Sequence, residues 1–146
     1  MRLLTHTNTL FVLLLLACLI SASCGSDDPS GPTVQELTFE KLAGSWTFGT
    51  NGSIVLDGQD ISANYPGFAL SFADGTYTTT NAGDLFEASG TWQWTSEQAT
   101  SVLLDTGVEV TIIDLSETAF RFSFTHAGTG GTAAGTAGNY TITLEK

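Results

Sequence analysis

The chain has 146 residues, enough for one folded core. Four Lys and Arg stand against fifteen Asp and Glu, a net charge of −11, so there is no basic surface to attract nucleic acid or anionic lipid headgroups. Its two cysteines, Cys18 and Cys24, both lie near the start, which excludes a disulfide framework for everything that follows.

Met1-Arg2 gives a short positive start. Leu10 to Ile20 is almost wholly apolar, but this run is well short of the roughly 20 residues a spanning helix needs. Ser21-Ala22-Ser23 and then Cys24 follow. A positive region, an apolar region and a small-residue cleavage site mark residues 1–23 as a secretory signal. The segment resembles bacterial lipoprotein signals, whose cysteine becomes the new N-terminus and carries lipid, palmitate included. Leu15-Leu16-Ala17-Cys18 fits that consensus by residue type, whereas Ser21-Ala22-Ser23-Cys24 has Ser where Leu is usual. Cys24 is preferred, because cutting before Cys18 would shorten the apolar region and leave Leu19-Ile20 beyond the cut. Asp27-Asp28, just after the cysteine, is similar to the surface-export signal of Bacteroidetes lipoproteins. The resemblance implies an outer-membrane protein, lipid-anchored and exposed at the cell surface, with the periplasmic face as the alternative. Without residues 1–23 three basic residues, Lys41, Arg121 and Lys146, face fifteen acidic ones, a net −12.

Residues 24–37 read as a flexible tether rich in Pro, Gly and Asp. A short helical turn is expected over Leu37 to Leu42, with Thr38 as its cap, at the start of a domain over 38–146. From Ala43 onward apolar residues recur with a period of two. Trp46 and Phe48 come first, then Ile54 and Leu56, then Phe68, Leu70 and Phe72. Asp74-Gly75 predicts a type I′ hairpin that sets Phe72 opposite Tyr77 and Leu70 opposite Thr79. Further faces are Phe86, Ala88, Gly90, Trp92 and Trp94; Val102 and Leu104; Val108, Val110 and Ile112; Phe120, Phe122 and Phe124; and Tyr140, Ile142 and Leu144. Eight or nine strands without a helix between them predict an all-β, antiparallel up-and-down β-barrel, with a β-sandwich as the alternative. Residues 127–138 are a Gly, Thr and Ala stretch expected to connect the last two strands.

Leu42-Ala43-Gly44-Ser45-Trp46 resembles the Gly-x-Trp that opens the first strand of lipocalins and fatty-acid-binding proteins. Gly90-Thr91-Trp92 recurs after Asp74-Gly75-Thr76-Tyr77, and this order of parts is similar to small lipocalin-like lipoproteins of Bacteroidetes. In lipocalins an arginine near the last strands packs across the first-strand tryptophan and closes that end. Here Arg121 lies on the parity opposite Phe120, Phe122 and Phe124, facing solvent, and the last strand has no arginine.

Catalytic groups are few. His126 is the sole histidine beyond residue 24, and no Gly-x-Ser-x-Gly nucleophile motif is present. One histidine does not make a zinc site. Asp57-Gly58-Gln59-Asp60 lacks the ligand alternation of an EF-hand and reads as a polar turn. Most carboxylates fall at turns, with Glu87 and Glu109 expected mid-strand on the outward face. A non-enzymatic domain without cofactor or metal is therefore expected, attached to the membrane through Cys24. Trp46, Phe72, Tyr77, Trp92, Trp94, Phe122 and His126 are the candidate lining of a cavity for a small hydrophobic molecule. The alternative is that these aromatics fill the barrel. The chain would then be a surface interaction or structural envelope lipoprotein without a small-molecule ligand.

Overall fold

The structure, a computed structural model, describes residues 31–128 and 135–146. The signal segment, Cys24, the tether up to residue 30 and residues 129–134 of the Gly-rich stretch lie outside the described residues.

Among the described residues the first element is a helix, α1, over Val34–Leu42. Thr33 caps it: the Glu36 N–H donates to Thr33 Oγ1 at 3.2 Å, and the Thr33 N–H donates to Glu36 Oε2 at 2.7 Å. This capping box satisfies end groups that have no intrahelical partner. It starts the helix earlier than the expected turn at Leu37 with Thr38 as cap, because Thr33-x-x-Glu36 supplies both halves of the box and Thr38 has no Glu three residues on. Residues 34–37, read as tether, are thus helical.

Ten strands follow: β1 Gly44–Thr47, β2 Ser53–Leu56, β3 Gln59–Asp60, β4 Ala69–Ala73, β5 Thr76–Thr80, β6 Ser89–Trp94, β7 Ser101–Leu104, β8 Glu109–Leu115, β9 Ala119–His126 and β10 Gly138–Glu145. From β4 to β10 each strand pairs antiparallel with the next. β1 pairs with β4 on one side and meets β10 on the other, through Thr47 and Glu145. The result is a closed, eight-stranded, all-antiparallel up-and-down barrel, consistent with a lipocalin-like fold. Closure rules out the sandwich.

β1 and β2 lie one after the other along the same edge of β10. Thr47 pairs with Glu145 and Ser53 with Thr143, so residues 48–52 loop out where Leu144 passes. Glu145 holds that loop: its carboxylate accepts the Thr50 N–H at 2.9 Å and the Asn51 side-chain N–H at 2.7 Å.

The expected register holds at β4–β5, where Phe72 faces Tyr77 and Leu70 faces Thr79. The turn type differs. A type I′ turn needs positive φ at both central residues. Only Gly75 has it there (φ 64°), whereas Asp57 (φ 46°) and Gly58 (φ 89°) both do. The I′ hairpin is therefore β2–β3, where Asp57-Gly58-Gln59-Asp60 is more than the polar turn its residue types suggest. β6 begins at Ser89, so Phe86, Glu87 and Ala88 precede it. Phe86 still reaches the core, from the loop.

Inward side chains form one aromatic core. Trp46, Phe120 and Phe122 are fully buried, and Phe120 stacks on Phe122 at 4.6 Å between ring centres. Phe124 stacks on Tyr140 at 5.2 Å, and Phe86 packs on Phe124 at 4.8 Å. Helix α1 and the turns after β4, β6 and β8 form one end of the barrel. The turns after β2, β5, β7 and β9 form the other, called here the far end.

Candidate functional site

The β8–β9 ladder runs from the pair Thr111–Ser123 to the pair Leu115–Phe120, with an irregularity between Ile112 and Asp114. Beyond Thr111, towards the far end, Glu109 and Val110 pair with β7 while Phe124 and Thr125 pair with β10. The two strands part there, and a cleft of about 650 Å³ opens between them. That volume is within the range that suits a small ligand. Val108 is its partly exposed apolar side chain, with Phe124 and Tyr140 beneath it at 4 % and 0 % exposure; Glu109, Thr111, Ser123, Thr125, His126, Asn139 and Thr141 supply polar groups.

The polar groups are already ordered. The Gly128 N–H donates to His126 Nδ1 at 3.0 Å. That bond leaves the proton on Nε2, which donates to the Asp84 carbonyl at 3.0 Å. His126 thus ties the loop after β5 to the loop after β9. The Tyr140 hydroxyl donates to the Thr136 carbonyl at 2.8 Å, and burial first, then neighbouring Tyr65, pushes its pKa up to about 12. Ser101 Oγ donates to Glu109 Oε1 at 2.8 Å, and Thr125 Oγ1 donates to Asn139 Oδ1 at 2.9 Å.

Of the candidate cavity-lining residues, the structure brings only His126 to this cleft. Trp46 and Phe122 are sealed in the core. Phe72 and Tyr77 are 4 % and 2 % exposed and border a shallow hollow of about 230 Å³ beside Gly44. Tyr77 donates to Asp105 Oδ1 at 3.4 Å; its pKa rises to about 12 through burial and then the Asp105 charge. A Cβ on Gly90 would strike both the Asp105 carboxylate and the Tyr77 ring, so this close approach needs glycine. Trp92 and Trp94 sit at the helix end with Phe39, along a groove of about 530 Å³ that includes Thr33 and Gln35 of the capped helix. The Trp92 indole N–H is shared by the Ala73 and Thr76 carbonyls at 2.9 and 3.0 Å.

The barrel end that lipocalins close with arginine is closed here by lysine. Lys146 Nζ lies 4.5 Å from the centre of the Trp46 ring and donates to the Lys41 carbonyl at 2.6 Å. The Trp46 indole N–H donates to the Leu42 carbonyl at 2.8 Å, so tryptophan and lysine together bind the last turn of α1. Arg121 is exposed, as its parity requires, opposite Asp114. The Asp57 and Asp60 carboxylates serve as local caps. Asp57 accepts the Asn139 N–H at 3.1 Å, and Asp60 accepts the Ser62 N–H at 2.9 Å, a bond that with the Ser62 hydroxyl lowers the Asp60 pKa.

Carboxylates occur at both ends, but the three described cations lie away from the far end. Asp57, Asp60, Asp84, Glu87, Asp105 and Glu109 are all on turns or strand ends of the far end, with no Lys or Arg beside them among the described residues. Lys41 and Lys146 belong to the helix end, and Arg121 stands in the ladder that leads to it. No protein family model matches this chain, and no curated protein or solved structure does either.

Proposed function

We propose that this chain is a lipid-anchored envelope lipoprotein, held to the outer membrane through Cys24 at the cell surface. Its non-enzymatic barrel takes a small amphipathic molecule at the far end. The observation that carries the binding reading is the cleft between β8 and β9, where Val108, over the buried rings of Phe124 and Tyr140, lies beside hydroxyl, amide and carboxylate groups. A mixed lining of that kind fits a ligand with an apolar body and a polar head. The anchoring reading rests on the signal-like segment that ends at Cys24.

Two experiments test these readings separately. Metabolic labelling with palmitate and detergent-phase partition should be positive for the native chain and lost in Cys24→Ser; an unlabelled native chain sinks the anchor. Native mass spectrometry of residues 32–146, which form one compact unit, should retain a ligand adduct when the protein is taken from its host without detergent. A second reading, an interaction or structural envelope module with no ligand, is favoured by the packed aromatic centre, where Trp46, Phe120 and Phe122 have no exposed surface. A bare mass would support it.

A further inference from the structure

We infer that the β8–β9 cleft selects by charge, taking an ammonium-bearing amphiphile over one that carries a carboxylate or phosphate. The inference rests on the cleft being a ligand site and goes on to say which headgroup that site accepts.

The argument starts from the donors and charges within reach. Among the described residues, Glu109 is the one charged residue on the cleft surface. Five further carboxylates share its end of the barrel: Asp57, Asp60, Asp84, Glu87 and Asp105. An anionic headgroup would meet this field without a counter-cation. His126 does not supply one, since its Nδ1 accepts from Gly128 and its Nε2–H is given to the Asp84 carbonyl. Nor does Tyr140, whose hydroxyl is given to Thr136. Among the described residues the cation next along β9 is Arg121, two residues from Ser123, and it stands opposite Asp114. Residues 129–134 read Thr-Gly-Gly-Thr-Ala-Ala and bring no charge. What the cleft offers is acceptors: the Glu109 carboxylate and the oxygens of Thr111, Ser123 and Thr141. A site with one sign of charge concentrates the opposite sign, and salt weakens the effect.

Three probes with the same twelve-carbon chain isolate the headgroup: dodecylammonium, dodecanol and dodecanoate, each below its aggregation threshold. Residues 32–146 would be titrated by calorimetry, with binding mapped by amide chemical shifts. The ammonium probe should shift residues 106–111, 123–128 and 139–141 and bind roughly tenfold tighter than dodecanoate, the scale of one nearby charge pair. Glu109→Gln, or a rise to physiological salt, should cut that preference several-fold. Arg121→Gln should leave ammonium binding unchanged. Dodecanoate binding in the cleft as tightly as ammonium, above all if Arg121→Gln abolished it, would overturn the charge selection and leave the cleft standing. Ammonium shifts scattered over the acidic surface would overturn it as well. If none of the three probes moves the cleft residues, the binding reading falls and takes this inference with it.

Discussion

Replacing Lys146 with Met tests how the helix end is closed. Methionine keeps most of the apolar stem of lysine and removes its charge and its donor. Two interactions disappear. One is the ammonium 4.5 Å from the centre of the Trp46 ring, worth about 0.5–1 kcal/mol at an exposed site. The other is the 2.6 Å bond to the Lys41 carbonyl, where a cation beside a helix C-terminus contributes about 0.3–1 kcal/mol through the helix dipole. Lys146 is exposed, so water screens both and their sum is about 1–2 kcal/mol. For a barrel of this size that corresponds to a fall in Tm of about 4–8 °C. Thermal unfolding followed by tryptophan fluorescence and urea unfolding read the two scales independently. Lys146→Arg should retain the stability, because guanidinium also stacks on an indole and donates to a carbonyl. A Lys146→Met protein indistinguishable from wild type in both assays would refute the argument. The lysine would then be a passive cover and the helix would be held by Leu42, the Trp46 indole, Phe39 against Trp92 and the Gln35 bond to the Ser96 carbonyl.

Further outcomes follow from the same packing. Phe122→Ala should cost about 3–5 kcal/mol in urea unfolding, since its ring is sealed between Phe120 and Phe124; a much smaller loss would mean the barrel centre has room to relax. Thr33→Ala should cost about 1 kcal/mol and expose the helix amides to faster hydrogen exchange, because the capping box loses its side-chain acceptor. Tyr77 and Tyr140 have folded pKa values raised to about 12 from 10.0, so the stability they contribute is complete below about pH 10 and is lost as pH rises towards 12. A double Tyr77→Phe, Tyr140→Phe protein should show a flatter loss of Tm over that window. Asn51, Thr50 and the loop they belong to lower the pKa of Glu145, so its contribution is present above the ordinary carboxylate range and fades as pH falls below it. In Glu145→Gln that acid dependence of the 48–52 loop should vanish from hydrogen exchange measured across the same range.

Much of the barrel could be read from alternation alone, because each strand buries one face and exposes the other. Trp46, Leu70, Phe72, Phe120, Phe122, Phe124, Tyr140 and Ile142 are all buried on the expected parity. The reading failed where pairing, and not burial, decides structure. β3 has only two residues, too short for a period to register. Phe86 keeps the parity of β6 yet packs from a loop, so a hydrophobic match overran the strand start. The irregularity between Ile112 and Asp114 leaves Ile113 about half exposed, which no residue type announces. The cleft escaped notice for a related reason: it forms where β8 and β9 stop pairing, while the alternation of their side chains continues unbroken. Lys146 escaped because the resemblance directs attention to arginine and the lysine follows the final strand.

The broken first strand also sets an order on folding. From β4 to β10 every ladder joins neighbours in sequence, so seven strands can assemble by successive hairpins with small closure entropies. β1 and β2 have no such local partner for their outer edge. They must wait for β10, the last strand made, and at β1 the seam is one pair, Thr47 with Glu145. Until the C-terminal strand arrives, the Trp46 strand has only β4 to hold it, and the unclosed sheet shows two free edges. The barrel is thus closed last where β1 and β2 meet β10, and the same seam is where it should first come apart.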